Sequence, residues 1–68
     1  MPVGTVKWFN KTKGYGFIVP DGGDKDVFVH ITEVEKAGMQ GLNEGQRVSF
    51  WVMEAPRGLK AVDIRATE

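Results

Sequence analysis

Two short segments of this chain carry ring side chains at a spacing that can do chemistry. Lys13-Gly14-Tyr15-Gly16-Phe17 and Val27-Phe28-Val29-His30 each place two rings two positions apart. Side chains at i and i+2 of a β-strand point to the same face. Tyr15 and Phe17 therefore share one face of one strand, and Phe28 and His30 share one face of another. Paired, such strands present a flat aromatic surface with lysines beside it, and unpaired bases stack on a surface of that kind. The expected ligand is single-stranded nucleic acid.

The alternative is that the rings are core and that Ile18, Val27 and Val29 face out. The flanking glycines weigh against it. Gly14 and Gly16 bracket Tyr15 without side chains, which lets a ligand or a backbone come close. The aliphatic residues also suffice for a core. Val6, Ile18, Val27, Val29, Val48, Phe50, Val52, Val62 and Ile64 form a largely β-branched inward set of the size a five-stranded barrel needs. Rings left outside that set forgo burial worth ~25 cal/mol per Å² of apolar surface. Places where a sequence breaks its own folding rules tend to be functional.

Trp8, Phe9 and Trp51 stand beside this set, which already includes His30. Trp8 and Phe9 are adjacent, so in a strand one points in and the other out. A bulge near them would turn Lys7 and Trp8 together toward the ring face; without one, Trp8 is an ordinary half-exposed tryptophan. His30 is the only histidine and has no companions for a metal site, which leaves stacking on, or hydrogen bonding to, a base. Trp51 alternates outward with Met53 beside it, and either packs under a loop or marks a weak self-association patch.

The elements that must position these residues are short. Residues 3–10, 15–19, 26–30, 47–54 and 59–64 read as strands, separated by turns rich in Gly, Pro, Asn and Asp. In the fourth, Val48, Phe50 and Val52 face one way and Ser49, Trp51 and Met53 the other. Such a pattern predicts an all-β barrel or sandwich. Residues 32–45 differ. Thr32-Glu33-Val34-Glu35 has the form of a capping box, while Gly38, Gly41 and Gly45 prevent a long helix. This stretch is expected to be a surface connection with at most a turn or two of helix.

The bulk properties narrow the function. The chain has 68 residues, no cysteine and zero formal net charge. That length makes one domain of marginal stability, burying only ~60% of its unfolded surface. Lys7, Lys11 and Lys13 fall in the first 13 residues, which hold no acid, so a neutral total can conceal a basic patch. No leader-like apolar segment precedes Phe9 and no apolar run approaches the ~20 residues of a membrane span. A small soluble cytoplasmic protein is expected. Catalysis lacks support: there is no cysteine, Ser49 is the only serine, and one histidine cannot build a nucleophile–base set. Asp21, Asp24 and Asp26 lack the spacing of a calcium loop, so no metal and no cofactor are expected.

The order of the motifs carries a resemblance. Lys13-Gly14-Tyr15-Gly16-Phe17-Ile18 and Val27-Phe28-Val29-His30-Ile31 resemble the two ribonucleoprotein motifs of an RRM, but in reversed order and without its two helices. Together with Gly4-Thr5-Val6-Lys7-Trp8-Phe9-Asn10 and residues 42–50, LNEGQRVSF, they resemble the bacterial cold-shock proteins over nearly the whole chain. The resemblance implies a five-stranded antiparallel Greek-key barrel, the OB-fold, filling residues 1–68 as a single domain. It implies binding of single-stranded RNA and DNA with low sequence preference, action as an RNA chaperone, and an effect on transcription and translation. By matched position it implies stacking on Trp8, Phe17, Phe28 and His30 with Tyr15 beside them, and backbone contacts from Lys7 and Lys13. It also implies base-edge or groove-flanking roles for Asn10, Asp26 and Arg57; Leu59-Lys60 departs from the family's usual pair after Gly58, and Lys60 is expected beside the site as a further cation. Ile31 and Met39 stand where the family usually has rings, and Trp51 where a polar residue is common. A monomer is expected, with weak self-association left open; a small barrel that binds another protein is the alternative.

Overall fold

The computed structural model describes residues 2–23, 25–56 and 58–67. Their elements follow in the order β1 (Val3–Asn10), β2 (Tyr15–Pro20), β3 (Val27–His30), α1 (Ile31–Lys36), β4 (Arg47–Ala55) and β5 (Gly58–Ala66). The strands close into a barrel in the order β1-β2-β3-β5-β4, the all-β architecture expected. All neighbours are antiparallel except β3 and β5, which meet in parallel through one pair, Phe28 and Lys60. Parity requires this. A ring with an odd number of strands cannot alternate direction all the way round, so one seam must be parallel.

The core consists of Val6, Ile18, Val27, Val29, Val48, Phe50 and Ile64, joined by Val34, Leu42 and Ala61. The aliphatic face is therefore inside and the rings are not core. Two expected members are missing: Val52 is exposed and Val62 only half-buried. The pairing Ser49–Arg65 gives way to Trp51–Val62, which leaves one extra residue on β5. At this bulge Asp63 adopts φ 54°, the left-handed region. The extra residue reverses the strand's parity, so Ala61 and Ile64, three apart, both face inward. On β4, alternation ends at Phe50, and Trp51, Val52, Met53 and Glu54 are all exposed. There β4 has passed its last partner in β1, since that pairing covers Val3–Ser49, Gly4–Val48 and Thr5–Arg47.

The connection after β3 is helical for six residues. The helix starts earlier than the capping-box pattern suggests. His30 is the N-cap, extended at φ −103° and ψ 151°, and its Nδ1 accepts from the Thr32 N–H at 3.2 Å. β3 runs straight into the helix, so its last side chain already supplies the acceptor that the first turn needs. Thr32 lies inside the helix and not at its cap. Gly38, at φ 82°, ends the helix: its N–H donates to Glu35 and that of Met39 to Val34, a left-handed C-terminal cap.

Arg47 ties the barrel rim. Its guanidinium donates to both carboxylate oxygens of Asp21 at 2.8 and 2.6 Å, and to the Thr5 hydroxyl at 3.0 Å. These bonds hold the Asp21 carboxyl below its ordinary range and raise Arg47 in turn.

Candidate functional site

The site is built on a bulge. Val6 pairs with Ile18, but Trp8 pairs with Phe17, so β1 carries one extra residue at Lys7. Without it Trp8 would share the inward face of Val6. With it Lys7 and Trp8 both turn outward, and Phe9 packs against the core. This is the bulge the sequence left open.

The shifted register creates a row. Trp8 lies opposite Phe17, Phe17 opposite Phe28, and Phe28 opposite Lys60. Three rings and an ammonium group thus cross β1, β2, β3 and β5 in one line. A second row runs Asn10, Tyr15, His30. All five rings are half-buried, held from below and open above.

The rings support one another edge to face. Trp8 stands 5.6 Å from Tyr15 at 69° and 5.3 Å from Phe17 at 60°. Phe17 and Phe28 are 5.9 Å apart at 75°. Tyr15 and Phe28 stack at 5.8 Å and 25°, and Phe28 and His30 tilt at 6.3 Å and 38°. Centroid separations in this range are the favourable ones for aromatic pairs, ~0.5–1.5 kcal/mol each beyond burial. The cluster is preorganised, so little side-chain order remains to be lost on binding.

The two glycines act on the protein's own behalf. Gly16 is buried, and a Cβ there would collide with the Trp8 carbonyl and the Phe9 side chain. Gly14, at φ 80°, lies against Ile31, donates to the Asn10 carbonyl and accepts from the Ile31 N–H, both at 2.8 Å. The close approach is thus made by backbone and core; no space is left there for a ligand.

Polar groups flank the rows. Lys7 is ion-paired with Asp26 at 3.0 Å, with both side chains well exposed. Asn10 uses its Oδ1 to accept the Lys13 N–H at 3.0 Å, which fixes the turn and leaves the Lys13 ammonium exposed. Because the His30 Nδ1 accepts from Thr32, its ring proton lies on Nε2, the nitrogen free to meet a ligand. A groove of about 690 Å³ runs between Phe17, Phe28 and His30 on one side and Pro56, Leu59 and Lys60 on the other. A second, of about 410 Å³, continues past Lys25 and Asp26.

The remaining expected site residues are placed differently. Ile31 and Met39 are half-buried and packed against the core, outside both rows. Arg57 lies outside the described residues. Trp51 does not pack under a loop: it is half-exposed on β4, opposite Val62 of β5. Among the described residues no group of three or more His, Cys, Asp or Glu side chains could hold a metal ion. No helix there is long and apolar enough to cross a membrane.

Comparison with known proteins agrees with this geometry. The family described as 'Cold-shock' DNA-binding domain matches residues 3–67. A probable cold shock protein A from Mycolicibacterium smegmatis is 52% identical over 65 residues, covering 96% of this chain and 97% of its own. A cold shock-like protein CspA from Stigmatella aurantiaca is 50% identical over 66 residues, 97% of each chain. The major cold shock protein of Micrococcus luteus is 48% identical over 64 residues, 94% of this chain and 96% of its own.

Proposed function

The chain belongs to the 'Cold-shock' DNA-binding domain family, and from that premise we propose that it binds single-stranded RNA and DNA with low sequence preference and acts as an RNA chaperone. It works in the cytoplasm as a single cold-shock domain and needs no catalytic step. The observation that carries this reading is the row Trp8, Phe17, Phe28, Lys60, aligned across four strands. A row of π-faces accepts any base, and a duplex hides the faces that an open strand offers.

Stacking outweighs charge. Trp8, Phe17, Phe28 and His30 offer four platforms worth ~1–3 kcal/mol each before ordering costs. Of the cations at the site, Lys7 is already paired with Asp26, while Lys13 and Lys60 flank the rings. Two to three neutralised phosphates give a salt slope of roughly −1.4 to −2.1. Ile31 and Met39 pack against the core and offer no stacking face.

Binding to the open strand alone pulls a hairpin's equilibrium toward opening, by no more than the affinity difference between the two forms. Weak secondary structure melts and stable duplexes survive. The test is to titrate a short oligo-dT or oligo-U into a Trp51→Phe background and follow tryptophan emission. Quenching of Trp8 at micromolar strand is expected. Silence at that level would overturn this reading and favour a protein partner on the ring face.

A further inference from the structure

We propose that Thr32 is a positioning residue for the ring site: it holds the His30 imidazole through one nitrogen, so that the other presents a fixed N–H to an acceptor oxygen of the bound nucleic acid. This role rests on the nucleic-acid reading above and adds to it a residue that lies in neither ring row.

His30 is the ring that the platform itself holds least. It ends β3, and among the described residues the only ring beside it is that of Phe28, at 6.3 Å. Trp8, Tyr15, Phe17 and Phe28 each stand between two or more rings. The torsion that turns an imidazole is broad and roughly two-fold. Stacking alone would leave the ring free to flip, which exchanges a nitrogen for a carbon at its outer edge.

Thr32 removes that freedom. Its backbone N–H donates to the His30 Nδ1 at 3.2 Å, and its hydroxyl lies 3.0 Å from the same nitrogen. A backbone N–H can only donate, so Nδ1 offers its lone pair and the neutral ring keeps its proton on Nε2. The hydroxyl faces that lone pair and donates as well. Two donors from one residue thus set which way the ring faces and which nitrogen is protonated. They also strengthen the outward donor, because bonds accepted at Nδ1 polarise the ring and its far N–H. His30 and Thr32 line the same groove, with Lys60 in its opposite wall. A phosphate or base-carbonyl oxygen in that groove meets a donor already aimed, with little order left to lose on binding.

Thr32 is exposed, so Thr32→Val removes the hydroxyl without disturbing packing. Nitrogen-15 spectra of the His30 ring, taken without nucleic acid at a pH of about 8.5 where an ordinary imidazole is neutral, should show the Nε2–H tautomer alone in the native chain. In Thr32→Val one donor is left, so the two nitrogen shifts should move toward each other, and Thr32→Ser should restore them. Affinity for a short oligo-dT should fall roughly 2- to 10-fold in Thr32→Val, the worth of one neutral hydrogen bond, and recover in Thr32→Ser. In a His30→Phe background, which keeps a stacking face and has no ring nitrogen, Thr32→Val should cost nothing further. An abasic site stepped along the oligonucleotide identifies the acceptor: the Thr32→Val loss vanishes at one position for a base carbonyl and persists at all of them for a phosphate. Nitrogen shifts unchanged in Thr32→Val, an affinity loss that Thr32→Ser does not recover, or an equal loss in the His30→Phe background would each overturn the proposal. If the native chain failed to bind oligo-dT while its His30 shifts were as expected, the nucleic-acid reading would be the one to fall.

Discussion

At the scale of single residues, Phe28 is the centre of the site. It touches the rings of Tyr15, Phe17 and His30 and pairs across the seam with Lys60. Phe28→Ala should weaken binding of a short oligo-dT by roughly 10- to 100-fold, the worth of one stacked base, and leave the salt slope unchanged. Affinities measured at several salt concentrations separate the two effects. Asp26→Asn should act in the opposite sense. It releases Lys7 from its 3.0 Å pair, so affinity at low salt should rise and the slope steepen by about 0.7. The ring identities were legible in the sequence because alternation is a local rule: Tyr15 and Phe17 are two apart, as are Phe28 and His30. The Lys7–Asp26 pair was not, because its partners lie 19 residues apart and only the closed barrel brings them together.

At the scale of elements, the bulges account for most of what the sequence did and did not disclose. Strand positions followed from turn residues and alternation. The bulge at Lys7 was legible as an option because Trp8 and Phe9 are adjacent and cannot both face the same way in a regular strand. The bulge at Asp63 left no such mark. Aspartate is not the glycine that a left-handed position advertises, so Val52 and Val62 read as core by simple counting. The helix start slipped for a related reason: a capping-box pattern marks where a helix can begin, while His30, arriving from β3, had already capped it. The Asp63 conformation can be tested by substitution. At φ 54° a β-branched residue is penalised by ~1–2 kcal/mol, so Asp63→Val should lower the urea midpoint, and Asp63→Gly should preserve or raise it. If both variants unfolded alike, the backbone at residue 63 would not be the cause.

At the scale of the whole molecule, stability has a pH signature and a weak line. Arg47 lowers the Asp21 carboxyl, so the native state binds fewer protons there than the unfolded chain. That contribution is complete above the ordinary carboxylate value of about 3.9 and is lost as pH falls through the lower native value. Asp21→Asn should therefore reduce stability at neutral pH and flatten its decline in acid, as thermal melts across that range would read directly. The weak line is the seam between β3 and β5, closed by the single pair of Phe28 and Lys60, while β3's other edge pairs over four residues. The 690 Å³ groove has walls on both sides of that seam. A strand lying in it would act as a clasp, and by mass action would stabilise the folded state in proportion to its occupancy. Digestion by a nonspecific protease should accordingly slow when oligo-dU is present and not when an equal concentration of duplex is. Loaded copies would outlast empty ones, so the standing amount of this protein would follow the supply of open strand even at a constant rate of synthesis.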